Sequence, residues 1–180
     1  MPPCDLTQDF NLNACKEGVG GVAEAYFANY DKVDWDNATV VDGQYTVLDM
    51  LNTGDQFFTY ELTKQTSSFT ENITSSIENG TVFFEQLFTL ILNTMDVNKR
   101  NELIALARAS TAIIFKTNEE TPQYWILGSK NGCDVNGGTS ASGVAFGDRN
   151  GYEITFQALE PESVLSVDPL LIPVLIEPKV

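Results

Sequence analysis

Along much of the chain, apolar and polar positions alternate with a period of two, the mark of strands with one buried face. The alternation is clearest from Gln56 to Lys64. There Phe58, Tyr60 and Leu62 point one way and Phe57, Thr59, Glu61 and Thr63 the other. Val22 to Tyr30 alternates in part and also reads as a strand. Asp31 to Gln44 is polar, a loop holding a short Thr39-Val40-Val41 strand, and Tyr45 to Leu51 fits either a strand or a short helix. Ala112 to Lys116 and Gln123 to Leu127 read as two strands joined by the turn-prone segment Thr117 to Pro122. Tyr152 to Leu159 places Tyr152, Ile154, Phe156 and Ala158 on one face.

The segment from Gln65 to Leu92 says most. A Ser/Thr-rich run from Thr66 to Ile77, carrying Phe69, Ile73 and Ile77, meets Glu78-Asn79-Gly80-Thr81 and then the apolar run Val82 to Leu92. Asn-Gly between two β-prone runs predicts a hairpin, because a type I′ turn needs φ > 0 at both central residues. Phe84, Leu87, Phe88, Ile91 and Met95 also stand at helical spacing. The Phe, Thr and Val content and the preceding turn favour the strand. Arms of about 12 residues at ~3.3 Å each give a hairpin of roughly 40 Å. A domain of this length has a radius of gyration of about 16 Å, so such a hairpin overshoots its own core and needs a partner. Phe69, Ile73, Asn79, Gly80, Val82 and Phe84 are its candidate subunit-interface residues. A second Asn-Gly pair, Asn150-Gly151, predicts a second hairpin leading into Tyr152.

Asp96 to Ser110 is the one helical stretch. Asp96 suits the N-cap, Leu103, Ile104, Leu106 and Ala107 form an apolar stripe, and Arg108 complements the C-terminal dipole. Gly128 to Ser142, rich in Gly, Ser, Thr and Asn, reads as a flexible loop. Leu165 to Pro178 is strongly apolar, but its three prolines argue against a helix. It reads as an extended arm over an apolar groove, on its own subunit or on a neighbour's. Leu170, Leu171, Ile172, Val174, Leu175 and Ile176 are its candidate interface residues. The expected organisation is an N-terminal arm (1–20), a β-rich domain (21–164) and an extended C-terminal arm (165–180). The expected fold is mainly β, sandwich- or barrel-like, with one flanking helix.

Composition narrows the chemistry. The chain has 180 residues, 43% of them hydrophobic, enough for a core without metals or disulfide staples. Twenty-five acidic residues against 10 basic ones give a net charge of −15, which opposes a broad grip on a phosphate backbone. There is no histidine, which removes the default general base, the usual nucleophilic triads and most zinc sites. Cys4, Cys15 and Cys133 are odd in number and widely spaced, as expected of free thiols in a reducing cytosol, with a Cys4–Cys15 bridge as the alternative. The start Met1 to Asp5 lacks the basic and apolar regions of a signal peptide, and no apolar stretch reaches the ~20 residues of a membrane helix. No spacing singles out a carboxylate pair, so no catalytic residue, cofactor or metal site is assigned. Asp148-Arg149-Asn150-Gly151 lacks the further ligands of a calcium loop and reads as a turn. Gly137-Gly138-Thr139-Ser140 lacks the lysine of a phosphate loop. The sequons at Asn37, Asn72 and Asn79 are expected to be unused.

A family resemblance rests on the order of these pieces. A hairpin closing through Glu78-Asn79-Gly80-Thr81 is followed by a strand and a helix containing Asp96-Val97-Asn98-Lys99-Arg100-Asn101. Then come strands ending Tyr124-Trp125-Ile126-Leu127-Gly128, Gly143, and the run Gly147-Asp148-Arg149-Asn150-Gly151-Tyr152-Glu153-Ile154-Thr155-Phe156. Over roughly residues 65 to 165 this resembles the tail-tube and related virion structural proteins of tailed bacteriophages, in particular those infecting Bacteroidetes hosts. The resemblance implies a subunit that forms rings, typically hexameric, which stack into a β-lined channel through which the genome passes. It implies no enzymatic role, other tail proteins as partners, no membrane, and assembly in the bacterial host cytoplasm into the virion tail. An acidic wall would let DNA slide without sticking. A head–tail connector or tail ring protein is the alternative within the class. A β-sandwich adhesion or carbohydrate-binding module is the alternative outside it, with Trp35, Tyr124 and Trp125 as its candidate exposed aromatics.

Overall fold

The computed structural model describes residues 19–179, so all but the last two positions of the N-terminal arm, with Cys4 and Cys15, lie outside the described residues. Among the described residues the chain is mainly β, 47% strand against 13% helical. The strands are β1 (Val22–Asn29), β2 (Thr39–Val41), β3 (Gln44–Val47), β4 (Phe58–Glu61), β5 (Ser68–Ser76), β6 (Thr81–Asn93), β7 (Thr111–Thr117), β8 (Tyr124–Leu127), β9 (Asp134–Ala141), β10 (Gly151–Glu160) and β11 (Leu165–Val167). The helices are α1 (Val97–Leu106) and the short α2 (Ile172–Ile176). A mixed seven-stranded sheet has the order β2-β3-β11-β8-β7-β1-β4, and an antiparallel four-stranded sheet the order β5-β6-β10-β9.

The two sheets pack face to face. Phe27 on β1 meets Phe156 on β10 with ring centroids 5.3 Å apart, and Phe88 on β6 meets Phe115 on β7 at 6.0 Å. The alternate residues of the seven-stranded sheet, Tyr26, Ile114 and Ile126, enter a second core with Tyr45, Met50 and Phe57. Burial on both faces accounts for the unbroken apolar run Ala112 to Phe115 in β7. Helix α1 closes one open side of the sandwich. Its N-cap Asp96 accepts from the Lys99 N–H at 2.9 Å, and Leu103 and Leu106 reach the first core. Ile104 and Ala107 stay at the surface, so the apolar stripe is narrower than its spacing predicts, and the helix stops before Arg108.

Several expectations need correction. The segment 45–51 forms a strand only at its start, as part of β3. The buried residue here is Phe57, just before β4 and 1% exposed, whose N–H bonds to the Leu175 carbonyl, while Phe58, the first residue of β4, is 55% exposed. This is an edge strand, and Tyr60 alone stacks onto Phe27, at 4.6 Å. The stretch read as a loop from Gly128 to Ser142 contains the strand β9, paired along β10. Gly138 is there to fit, since a Cβ at this position would lie 2.8 Å from the Glu153 carbonyl oxygen. The Asn150-Gly151 pair is not a turn centre. Gly151 pairs with both Asn93 and Ala141, and a Cβ there would overlap the Leu92 carbonyl oxygen.

The C-terminal segment is the largest correction. It is not an extended arm. β11 inserts between β3 and β8, and α2 then turns back so that Ile172 and Leu175 enter the second core. The prolines permit this because they stand where a helix needs no N–H. Pro169 opens a 3-10 turn whose N-cap, Asp168, accepts from the Leu170 N–H at 2.9 Å, and Pro173 lies in the first turn of α2.

Candidate functional site: a sheet with two open edges

The β5–β6 hairpin pairs from Ser68↔Thr89 out to Ser76↔Thr81. Its turn is the four residues Ile77 to Gly80, with positive φ at Gly80 alone (61°), so the expected two-residue type I′ turn gives way to a longer one. The hairpin is covered at its base and bare further out. Phe69 packs on Phe115 at 4.7 Å, and Phe84 is half-buried. Ile73 is 67% exposed, and Val82, Asn79 and Gly80 are exposed with it.

The candidate residues of the C-terminal segment divide differently. Ile172 and Leu175 are buried against their own chain and offer nothing to a neighbour, and Leu171 is half-buried. Leu170, Val174 and Ile176 remain at the surface.

What the sheet can do follows from its two faces and its two edges. The inner face carries Phe88, Leu90, Ile154 and Phe156 into the first core. The outer face reads off as cross-strand rows: Ser68–Thr89–Thr155–Gly137, Thr70–Leu87–Gln157–Asp134, Asn72–Glu85–Leu159 and Ile91–Glu153–Thr139. These rows hold hydroxyls, amides, three carboxylates and the aliphatic side chains of Leu87, Ile91 and Leu159, and the four strands supply neither lysine nor arginine. Glu85 is held in place by Gln157 Nε2 at 2.5 Å and Asn72 Nδ2 at 3.1 Å, and Glu153 by Arg149 at 2.6 Å. The edges are β5 on one side and β9 on the other, each with a line of backbone groups facing away from the sheet. No charged side chain blocks β9 beyond its first residue, Asp134. Sequence pattern missed this edge because Asp-Val-Asn-Gly-Gly-Thr-Ser-Ala has no apolar alternation to find.

Polar contacts fix the far end of the sandwich. Gln86, 2% exposed, accepts from the Gly128 N–H at 3.3 Å and donates to Glu71, tying the two sheets together. Glu160, 3% exposed, accepts from the N–H groups of Asn131 at 3.0 Å and Lys130 at 3.3 Å. Burial pushes its carboxyl above the usual glutamate range, and those two N–H groups oppose the shift.

The three candidate aromatics of a ligand platform do not gather. Trp35 donates to the Tyr30 carbonyl and stacks on Tyr30, while Trp125 and Tyr124 pack against opposite cores. Among the described residues no group of three His, Cys, Asp or Glu is placed to hold a metal ion, and no helix is long and apolar enough to cross a membrane. Comparison with protein-family models, curated proteins and solved structures found no match to the chain.

Proposed function

We propose that the chain is a ring-forming structural protomer of the tail-tube type of tailed bacteriophages, without enzymatic activity, whose four-stranded sheet lines a channel. The observation that carries the reading is that sheet: two unpaired edges, a hairpin longer than its core, and an outer face whose strands carry carboxylates and no basic residue, Arg149 of the β9–β10 loop being paired with Glu153. Strands β5 and β10 run one way and β6 and β9 the other. In a ring whose axis lies along the strands, β9 of one copy therefore meets β5 of the next antiparallel. The contact is heterologous, so it repeats until the ring closes and every edge is covered.

Six copies would place 24 strands around the bore. At ~4.8 Å between strands the circumference is ~115 Å and the diameter about 37 Å, which leaves a bore for a duplex after side chains are allowed for. The acidic, hydroxyl-rich face would repel phosphate and let nucleic acid pass.

Electron microscopy of the purified full chain over a range of concentrations tests this. Rings with a central lumen are expected, together with no retardation of duplex DNA at any salt. A stable monomer at high concentration would overturn the reading. Stacked tubes favour a tail tube, and solitary rings favour the connector or ring protein of the same class.

A further inference from the structure

The chain holds four Asn-Gly pairs: Asn79-Gly80, Asn131-Gly132, Asn136-Gly137 and Asn150-Gly151. A backbone nitrogen can attack the side-chain amide of the asparagine before it, and glycine hinders that approach least because it has no Cβ. The attack needs an asparagine amide free to rotate, a glycine N–H not committed to an acceptor, and a backbone able to leave a ladder-bound shape. The fold meets these needs very unequally.

Asn131 and Asn150 are held. Asn131 Nδ2 donates to the Leu159 carbonyl at 2.6 Å, its backbone N–H bonds to Glu160 at 3.0 Å, and the Gly132 N–H bonds to the Gly128 carbonyl at 3.2 Å. Gly132 is buried, and a Cβ there would overlap the Ser110 hydroxyl. The Asn150 carbonyl accepts from the Thr94 N–H at 2.6 Å, and Gly151 is buried between Asn93 and Ala141. Asn136 is exposed where β9 shifts register against β10, but Gly137 after it is paired with Thr155.

Asn79 stands differently. It lies in the β5–β6 turn, outside the last ladder pair Ser76↔Thr81, and both it and Gly80 are exposed. Its backbone N–H bonds to Ser76 Oγ at 3.4 Å. Among the described residues neither its side-chain amide nor the Gly80 N–H has a hydrogen-bond partner. The space around Gly80 is open, with nothing within 4 Å of where a Cβ would stand, so a ring can close there.

We infer that Asn79-Gly80 is a self-modification site, at which the folded chain converts asparagine to isoaspartate and aspartate ahead of its other three Asn-Gly pairs. The Gly80 nitrogen loses its proton and attacks Asn79 Cγ. The new N–Cγ bond closes a succinimide, and Nδ2 takes up a proton and leaves as ammonia. Water then opens the ring. Cleavage of the N–Cγ bond gives aspartate, and cleavage between that nitrogen and the main-chain carbonyl carbon gives isoaspartate, with the chain running through Cγ. The first step removes an amide proton, so the rate rises with pH. Either product sets a second carboxylate beside Glu78. Isoaspartate also adds a methylene to the backbone of the turn that sets the Ser76↔Thr81 register. The chemistry needs one chain alone and goes beyond the ring reading, which stands or falls separately.

Incubating the full chain, dilute and folded, at mildly alkaline pH tests this. The peptides bearing Asn79, Asn131, Asn136 and Asn150 are followed by mass spectrometry, with isoaspartyl methyltransferase labelling to tell isoaspartate from aspartate. A second sample is held unfolded in guanidinium chloride. In the folded sample Asn79 is expected to convert faster than Asn136, and at least about tenfold faster than Asn131 and Asn150, which must first open locally. In denaturant the four rates should converge, because the same dipeptide then reacts at each site. Absence of isoaspartate at Asn79 in the folded chain, or another pair converting as fast, would overturn the inference. A lead for Asn79 that persists unchanged in denaturant would overturn it as well, since the fold would then play no part in the choice.

Discussion

The β5–β6 hairpin and the C-terminal segment share a property in sequence: each is an apolar stretch that outruns a two-sheet core. In the folded chain they part. The C-terminal segment supplies β11 to the seven-stranded sheet and buries Ile172 and Leu175 beneath it, whereas the outer hairpin leaves Ile73, Ile77 and Val82 in water. The second core explains the difference. The face of the seven-stranded sheet bearing Tyr26, Ile114 and Ile126 needs a cover, and α2 lies within chain reach of it, with four residues between Val167 and Ile172. The outer end of the hairpin runs past the last β6–β10 pair, Glu160↔Phe84, and has no such face to land on. Apolarity therefore shows that a segment needs covering, and only the geometry of the remaining sheets shows by what.

This contrast can be broken most sharply at Leu175. It is 1% exposed, so Leu175→Ala should cost about 2–5 kcal/mol and lower Tm in a thermal melt of the dilute protein. An unchanged Tm would mean that the C-terminal segment is not packed on its own chain. At the hairpin turn, Gly80→Val places a β-branched residue at φ 61° with open space around it, so the cost is backbone strain of about 1–3 kcal/mol. It should be read as loss of assembly accompanied by a modest shift in Tm.

Between the two regions lies Glu160, the last residue of β10. Its folded-state pKa is raised, so the folded chain holds the proton more tightly than the unfolded one. The group's contribution then falls as pH rises from about 4.3, the ordinary glutamate value, toward neutrality. Glu160→Gln keeps the acceptor for the Asn131 and Lys130 N–H groups and removes the buried charge. The difference in Tm, variant minus wild type, should grow as pH increases through that window, and a flat difference would contradict it. Smallest of all is the effect of Ile73→Ser on the monomer, within about 0.5 kcal/mol because the side chain is 67% exposed. The same variant should weaken assembly, measured by sedimentation. A large loss of monomer stability would place Ile73 inside the fold.

Strands were legible where alternation or an apolar run marks them, as in β1, β6, β7, β8 and β10, and β5 was legible from the Asn-Gly pair that follows its β-prone run. The Asp96 cap was legible too, because capping depends on one side chain and its nearest N–H groups. Strand β9 was not. Its backbone is held by β10 alone, and Gly138 is there for close approach to Glu153, which no hydrophobic pattern encodes. The prolines misled in the C-terminal segment because their cost depends on position within a helix, and Pro169 and Pro173 occupy first turns. Of the candidate interface, the bare outer hairpin was readable from arm length. The opposite edge β9 emerges only once β10 is paired on both sides.

Cys133 lies between β8 and β9, wholly buried, with Thr111 bonded to its backbone on both sides. Burial raises its thiol far above the ordinary cysteine value, so the reactive thiolate is scarce while the chain is closed. Alkylation at this one sulfur, followed by peptide mass, would therefore act as a clock for opening of the sandwich. If neighbouring copies clamp the β9 edge, that clock should run slower in the assembled particle than in the dilute chain.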